Sequence, residues 1–461
     1  MVLMSEQAGY QPRPTRMQKV EILGLAGFAA VWMTPLAVSA ETRSRDLFSV
    51  PQSVPARTPQ PQTPSSAAQK IDHGIPSIAP DLKQKLRQEG ITMDLLLSGF
   101  LQGQTSGTDD SAAINALTDR GTGTGGYGAG RFDALLELDS TRLGLWRGGQ
   151  INAHLEVEDG PLPGWRGGAF WPVNTAAILP LTAPGQWSLS SLYLRQRWGG
   201  TRVMVGKVNV IDLQRQSPFF GGWGVDRFQN LALVLPPTGV TPATLMAASI
   251  SQQIGNVTLT AMAYDPNDRT VNSFNGLFAD GVNLSLSAQW NGRFWKRSSN
   301  LGIAFILSTT QSVSLEEIYL PSQLRQLVLK SPNNITFNFG HQIWNSPVRP
   351  GKGVGVYGRL GVTGGDPNPI QSSLAMGISG EGMWRSRPWD GFGIGIYRYN
   401  WTEGLSTALL TPLQSETGVE MYYNFALTPW LSFSPNVQII RPATADAPLL
   451  TALGLRSVIR F

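Results

Sequence analysis

From Ile91 to the carboxy terminus the chain breaks into segments of about ten residues in which every second side chain is apolar, the spacing that gathers them on one face of a strand. Val282, Leu284, Leu286, Ala288 and Trp290 oppose Asn283, Ser285, Ser287, Gln289 and Asn291. Ile151, Ala153, Leu155 and Val157 oppose Asn152, His154, Glu156 and Glu158; Leu431, Phe433, Pro435 and Val437 oppose Ser432, Ser434, Asn436 and Gln438. Val419, Met421, Tyr423 and Phe425 likewise oppose Glu420, Tyr422 and Asn424. Read this way, strands are expected at 91–102, 131–139, 149–158, 187–197, 201–210, 245–253, 256–265, 281–291, 299–309, 335–345, 353–363, 374–385, 391–401, 417–427, 431–440 and 451–461, sixteen in all.

The connections test that reading independently, because strand counting does not require their lengths to alternate. After odd-numbered strands they run to roughly 28, 28, 34, 15, 25, 10, 15 and 10 residues, and after even-numbered ones to roughly 9, 3, 2, 7, 7, 5 and 3. Segregation of loop length by parity, with an even strand number, is the pattern of an outer-membrane barrel with long extracellular loops and short periplasmic turns. The expected fold is therefore all-β: a sixteen-stranded antiparallel transmembrane barrel. No second apolar layer exists to cover the greasy faces, so they must look at lipid, and the polar faces then enclose an aqueous lumen too wide for side chains to fill.

Composition agrees. Charged residues are only 15%, against 51 Gly, 14 Trp, 10 Tyr and 18 Phe. The chain has no cysteine, which removes disulfide scaffolds, thiolate metal sites and thiol nucleophiles, and its histidines are His73, His154 and His341 alone. No metal or cofactor is expected. A formal charge of +5, without a long Lys/Arg run, gives no nucleic-acid surface.

The amino-terminal part reads as an address label. Arg13, Arg16 and Lys19 precede the apolar run 22–38, and Val38-Ser39-Ala40 follows it, which predicts an export signal over 1–40 cleaved after Ala40, with Met1, Met4 or Met17 as its start. Residues 41–80 hold Pro51, Pro55, Pro59, Pro61, Pro64, Pro76 and Pro80 among small polar residues and read as an extended periplasmic linker. Leu82 and Leu86, with Pro80 before and Gly90 after, predict a short helix over 81–89, and 81–461 is the barrel domain. In the last strand Leu453, Leu455, Ile459 and the terminal Phe461 share one parity, which resembles the signal read by the outer-membrane assembly machinery.

Parity assigns the lumen to Asp133, Glu137, Asn152, His154, Glu156, Tyr193, Arg195, Arg197, Asn283, Gln289, Asn338, Gln342, Glu420, Asn424, Gln438, Arg456 and Arg460, a mixture of both charge signs with many amides. Lys207 and Arg398 fall on the lipid parity and are expected near the rims or re-aimed by bulges at Gly206 and Gly395. The longest connection, 211–244, carries Asp212, Arg215, Phe219, Phe220, Trp223, Asp226, Arg227 and Phe228, and a segment this apolar is expected to fold inward and narrow the channel rather than lie in water. Arg215, Phe219, Phe220, Trp223, Asp226 and Arg227, with Arg195 and Arg197, are the constriction candidates, and Trp165, Arg166 and Trp171 of the preceding long loop offer a second set of rings and charge. Amides and charges beside aromatic rings suit a sugar, which presents hydroxyls at its edge and C–H groups on its faces.

Four pieces carry a family resemblance: Asp81 to Ile91 (DLKQKLRQEGI) before the first strand, Gly144-Leu145-Trp146-Arg147-Gly148-Gly149, Val205-Gly206-Lys207-Val208-Asn209, and Leu427-Thr428-Pro429-Trp430-Leu431 with Pro435-Asn436-Val437-Gln438. In this order, over roughly 81–461, they resemble the carbohydrate-selective porins of the OprB type. The resemblance implies passive uptake of glucose-type sugars across the outer membrane, through a constriction of arginines, acids and aromatics. Other readings are a porin for another solute class (general diffusion, aromatic acids or anions) and a non-channel β-protein that binds a partner at the cell surface. Catalysis has little support, since His154 has no nucleophile motif beside it, and Gly123 to Gly128 matches a dinucleotide fingerprint without a βαβ unit and reads as a flexible loop.

Overall fold

The structure, a computed structural model, describes residues 80–461 except 107–124, 161–168, 180–181, 216–220, 236–240, 272, 311, 316–326, 329, 410–411 and 446. The expectations for the export signal and nearly all of the linker lie outside the described residues.

Helix α1 (Pro80–Glu89) leads into the barrel strands β1 (Ile91–Ser106), β2 (Gly125–Asp139), β3 (Gly149–Asp159), β4 (Ser188–Trp198), β5 (Thr201–Asn209), β6 (Thr244–Ile254), β7 (Val257–Tyr264) and β8 (Asn283–Phe294). The circuit continues with β9 (Arg297–Ser308), β10 (Lys330–Asn345), β11 (Gly353–Asp366), β12 (Ile370–Glu381), β13 (Gly391–Trp401), β14 (Glu416–Thr428), β15 (Leu431–Arg441) and β16 (Leu450–Arg460). All sixteen form one closed antiparallel sheet in sequence order, and β1 pairs with β16 to leave no edge. Among the described residues, three short α-helices, α2 (Val210–Gln214), α3 (Leu231–Val234) and α4 (Glu403–Ala408), and a 3-10 turn (Thr175–Ala177) lie in the long connections. A separate two-residue hairpin joins Ser312–Val313 to Leu327–Val328.

Helix α1 ends where Gly90 takes φ +96°, a conformation open to glycine, and a Cβ there would meet Arg142 Cβ at 2.7 Å. The ladder brings the carboxy terminus to the same rim, where the Phe461 N–H donates to Leu95 O at 2.9 Å.

Two sequence expectations need correction. The connection after β11 is only 367–369, because β11 and β12 run several residues further than their apolar alternation, so the long-short rule fails here; the connection 442–449 after β15 is also slightly shorter than the turns 140–148 and 382–390. Gly125 to Gly128 is not loop; it pairs with Gln104 to Leu101 and opens β2. Glycines carry no side chain to alternate, so this end of the strand gave no periodic signal.

The outer face is predominantly apolar. Leu101 is 63% exposed, Leu286 60% and Val362 63%, on strands far apart around the circuit, and such a belt is stable only against hydrocarbon. Beside the short turns, Trp146, Trp198, Trp295, Trp384 and Trp389 stand exposed, the placement of an interfacial aromatic girdle. Among the described residues no helix is long and apolar enough to cross a membrane, which leaves the strands as the spanning elements.

Lys207 and Arg398 stay on the outer face. Lys207 pairs with outward Leu192 and ends near the outer rim, where its Nζ donates to Thr270 O at 2.8 Å and Ser273 Oγ at 3.1 Å. Arg398 lies in register with Leu374 and Thr417, and Gly395 makes no bulge. A basic residue facing lipid costs about 2–4 kcal/mol at the midplane and about 0–1 near the interfaces, which explains why both sit close to strand ends.

Candidate functional site

The bore is not simply water-filled. It holds an apolar core in which Trp171, Ala176 and Ile178 of the second long loop and Trp223, Val225, Phe228 and Leu231 to Leu235 of the third pack against Phe100, Tyr357, Tyr397, Tyr399 and Tyr422 of the wall. The expectation that a barrel of this size stays unfilled overlooked how much of it two loops can occupy.

The third loop leaves β5 at Asn209, whose side chain caps α2 by accepting from Ile211 N at 3.1 Å, and rejoins the wall at β6. Between these ends it reaches the opposite wall. There the Glu420 carboxylate, fully buried on β14, accepts from Gln229 N at 2.6 Å, Asn230 N at 2.9 Å and Asn436 Nδ2 at 2.5 Å. Arg456 of β16 donates from Nη1 to Gly224 O and Arg227 O, both at 2.8 Å, and from Nη2 to Asn424 Oδ1 at 3.0 Å. Arg359 of β11 donates to Gln214 Oε1 at 2.6 Å. At Gly395 the loop lies so close to the wall that a Cβ would come within 2.9 Å of both Leu233 Cδ2 and Phe228 Cε1.

The second loop is held by the same strand. Glu416, four residues before Glu420 and on the same face, accepts from Phe170 N at 2.6 Å and Trp171 N at 3.2 Å. Its Trp171 ring meets Tyr399 at 5.0 Å and Trp401 at 5.4 Å. Gln438 Nε2 donates to Val173 O at 2.7 Å, and Arg131 Nη1 to Ala176 O at 3.1 Å. The loops are joined to each other where Thr175 N and Oγ1 both donate to Gln229 O at 2.7 Å.

A network of charged groups pins the start of the third loop. His154 lies between Asp212 Oδ1, 2.8 Å from Nδ1, and Asp133 Oδ1, 3.0 Å from Nε2. Arg131 pairs with Asp133 at 2.8 Å and with Glu156, while Ser191 Oγ donates to Asp212 Oδ2 at 2.5 Å. Burial alone would push the Asp212 carboxyl up; the facing imidazole of His154 and the Ser191 hydroxyl overcome it and hold it below the ordinary carboxylate value. Asp133, His154 and Glu156 bring possible ligand atoms within 4.8 Å of one another, but both His154 nitrogens already face carboxylates and Glu156 faces Arg131, so the group is an ion-pair network rather than a metal cage.

The constriction candidates separate by position. Arg215 stands with its guanidinium 5.5 Å over the Trp223 ring and 4.0 Å from Asp94, which also faces Lys83 and Arg87 of α1. Trp223 is buried beneath it beside His154, and Phe219 and Phe220 lie outside the described residues. Arg227 reaches Glu381 at 3.9 Å, and Arg349 and Lys352 approach the same carboxylate at 3.2 and 3.5 Å. Arg227, Lys352, Glu381, Tyr422 and Asn424 line a recess of about 60 Å³ beside the periplasmic turn 346–352, and Asp226 offers its carbonyl to Asn424 at its edge. Arg195 lies 5.0 Å over the Tyr193 ring, and Arg197 bonds Gly199 O at the β4–β5 turn.

Of the parity-assigned lumen residues, Asp133, His154, Glu156, Asn283, Gln289, Asn338, Gln342, Gln438 and Arg456 are buried inside the sheet, while Asn424 and Arg460 are partly exposed and Glu137 is open to solvent. Asn338 and Gln289 fill the space beside Gly302, where a Cβ would meet their amide oxygens at 2.0 and 2.4 Å. Glu416, Arg131, Arg359 and Glu381 escaped the sequence reading. Glu416 lies one residue before the expected start of its strand, whereas Arg131, Arg359 and Glu381 lie within expected strands on the lumen parity and could have been read.

A family model described as carbohydrate-selective porin, OprB family, matches residues 105–461. The high-pH structure of Pseudomonas putida OprB superposes with a TM-score of 0.68 at 17% identity, covering 83% of this chain and 96% of that one. The low-pH structure of the same protein gives 0.50 at 15% identity, covering 82% and 95%. At these identities the likeness to solved structures carries the fold. No curated protein matches the chain.

Proposed function

The chain belongs to the OprB family of carbohydrate-selective porins and is a sugar-uptake channel of the outer membrane; from that premise we propose that the third loop, docked across the bore, is its selectivity element. The observation that carries this reading is the clamp of Glu420 on Gln229 N and Asn230 N, which fixes the middle of the loop to the wall opposite its origin. In this reading a sugar passes Arg215 and then Asp226, Arg227, Glu381, Lys352 and Asn424, whose amide, carboxylate and guanidinium groups exchange hydrogen bonds with successive hydroxyls, while Tyr422 offers a ring edge. Trp171 and Trp223 are spent on packing and hold the loops instead of touching solute. Arg197, at its turn, belongs to the periplasmic exit. Export by residues 1–40, a linker over 41–80 and assembly through Phe461 complete the proposal.

Liposome swelling with a panel of sugars and amino acids of matched size tests it. Wild type should admit sugars faster than matched amino acids, and R227A/E381Q should erase that preference while still conducting. Equal preference in both proteins would remove the recess from the solute path.

A further inference from the structure

The outer face carries two guanidinium groups where its apolar belt ends. On β13 the lipid-facing residues run Ile394, Ile396, Arg398 and Asn400; on β15 they run Val437, Ile439 and Arg441. The register places Leu374, Arg398, Thr417 and Arg441 in one row across four neighbouring strands, which sets the two arginine Cα atoms about 10 Å apart. Above this row lie Ser372, Asn400 and Ser415, all polar. Arg398 is three residues from the end of its strand, before the connection 402–415, and Arg441 is the last residue of its strand, before 442–449. Both are therefore at the long-loop end, which in an outer-membrane barrel faces the cell exterior.

The group is built rather than scattered. Arg398 Nε donates to Asn400 Oδ1 at 3.4 Å and Nη2 to Ser415 Oγ at 3.1 Å, Ser415 Oγ donates to Asn400 Oδ1 at 2.6 Å, and Asn400 Nδ2 donates to Ser372 Oγ at 2.8 Å. These neutral partners orient the guanidinium without neutralising it, and among the described residues neither Arg398 nor Arg441 forms an ion pair. Both side chains are exposed on the lipid-facing side, so neither contributes to the bore. Two guanidinium groups in a polar row at the edge of an apolar belt match a ligand with acyl chains below and phosphate groups at the headgroup level.

We propose that Arg398 and Arg441, supported by Asn400, Ser415 and Thr417, form a docking site for the phosphate groups of a phosphorylated glycolipid in the outer leaflet. The acyl chains lie along Leu374, Ile394, Ile396, Val419 and Ile439, and the guanidinium forks hold the phosphates through charge-assisted hydrogen bonds. The glycolipid is favoured over a phospholipid because the cations are two, about 10 Å apart, and a bisphosphorylated sugar headgroup engages both at once.

The test uses the full-length protein purified in detergent, with R398A/R441A and R398Q/R441Q beside it. Heat-modifiable electrophoretic mobility and single-channel conductance verify the fold, and both should equal wild type. Native mass spectrometry then measures retention of a bisphosphorylated lipid A, the same glycolipid stripped of phosphate, and phosphatidylglycerol. Wild type should hold the bisphosphorylated form roughly 30-fold more tightly than either variant, about fivefold for each surface cation, and the dephosphorylated form no better than they do. Equal retention of bisphosphorylated lipid by wild type and variants overturns the site. Equal affinity of wild type for phosphatidylglycerol and lipid A overturns the choice of a glycolipid and leaves an undiscriminating lipid-phosphate contact.

Discussion

Glu420→Ala is the sharpest perturbation of the bore. Its carboxylate accepts three hydrogen bonds within the barrel, from Gln229 N, Asn230 N and Asn436 Nδ2, and it is fully buried. Truncation leaves three donors without an acceptor at about 1–3 kcal/mol each. Water entering the vacated space repays part of this, so a net loss of about 3–6 kcal/mol for the docked loop is expected. A shift of about 5.5 kcal/mol inverts a 99:1 equilibrium, so a loop docked nearly all the time becomes one that leaves the wall for a large share of it. The sheet itself loses no ladder bond, because the side chain and not the backbone of Glu420 makes these contacts. Planar-bilayer recording should therefore show larger unitary current with open-level fluctuations, and liposome swelling should show weaker discrimination between sugars, with heat-modifiable mobility unchanged. Wild-type current together with wild-type sugar selectivity in a folded variant would refute the assignment of the third loop as the restriction.

Asp212→Ala should also loosen the loop, at its origin, since it removes the carboxylate that faces His154 at 2.8 Å and Ser191 at 2.5 Å; breaking such a buried pair costs about 3–5 kcal/mol, readable as a rise in conductance noise. The same contact has a pH signature. Because the folded state holds the Asp212 carboxyl below its ordinary value of 3.8, its contribution is full above that value and is lost as pH falls through the lower folded one, so the wild-type current should be steady from neutrality to about pH 4 and change only below it; a change centred near pH 6 would deny Asp212 this part. Gly395→Val should push Leu233 and Phe228 off the wall at about 1–3 kcal/mol of overpacking and raise conductance, while Gly126→Val, with nothing within 4 Å of its Cβ, should leave it unchanged.

The barrel was legible because lipid and water enforce a two-residue period on every spanning strand, and Val282 to Asn291 or Leu431 to Gln438 satisfies both solvents at once. Where one solvent is missing, the signal goes. Gly125 to Gly130 has side chains only at Tyr127 and Ala129, too few to alternate, and the upper ends of β11 and β12, Thr363-Gly364-Gly365-Asp366 and Ile370 to Ser373, rise above the hydrocarbon, so their outer faces need not be apolar. The inward fold of the third loop followed from its composition, since Phe219, Phe220, Trp223 and Phe228 suit a buried segment better than one left in water. Its partners could not be read in the same way. Glu416 and Glu420 differ from other lumen acids only in what lies opposite, and that depends on contacts 190 residues or more along the chain.

Those two acids have a joint consequence. They sit four residues apart on one face of β14, Glu416 on the second loop and Glu420 on the third, and the two loops share the Thr175 to Gln229 hydrogen bonds directly between these anchors. Gly224 packs within 2.9 Å of Ala176 N at its virtual Cβ, so neither loop can leave without uncovering the other. The pair should then behave as one gate with two hinges rather than as two independent constrictions. Glu416→Gln and Glu420→Gln, measured singly and together by unitary conductance and sugar block, should be non-additive by about 0.5–3 kcal/mol, because the first release already breaks the Thr175 link that the second would otherwise have to break. Strict additivity would mean that the loops move separately, and selectivity would then rest on the third loop alone.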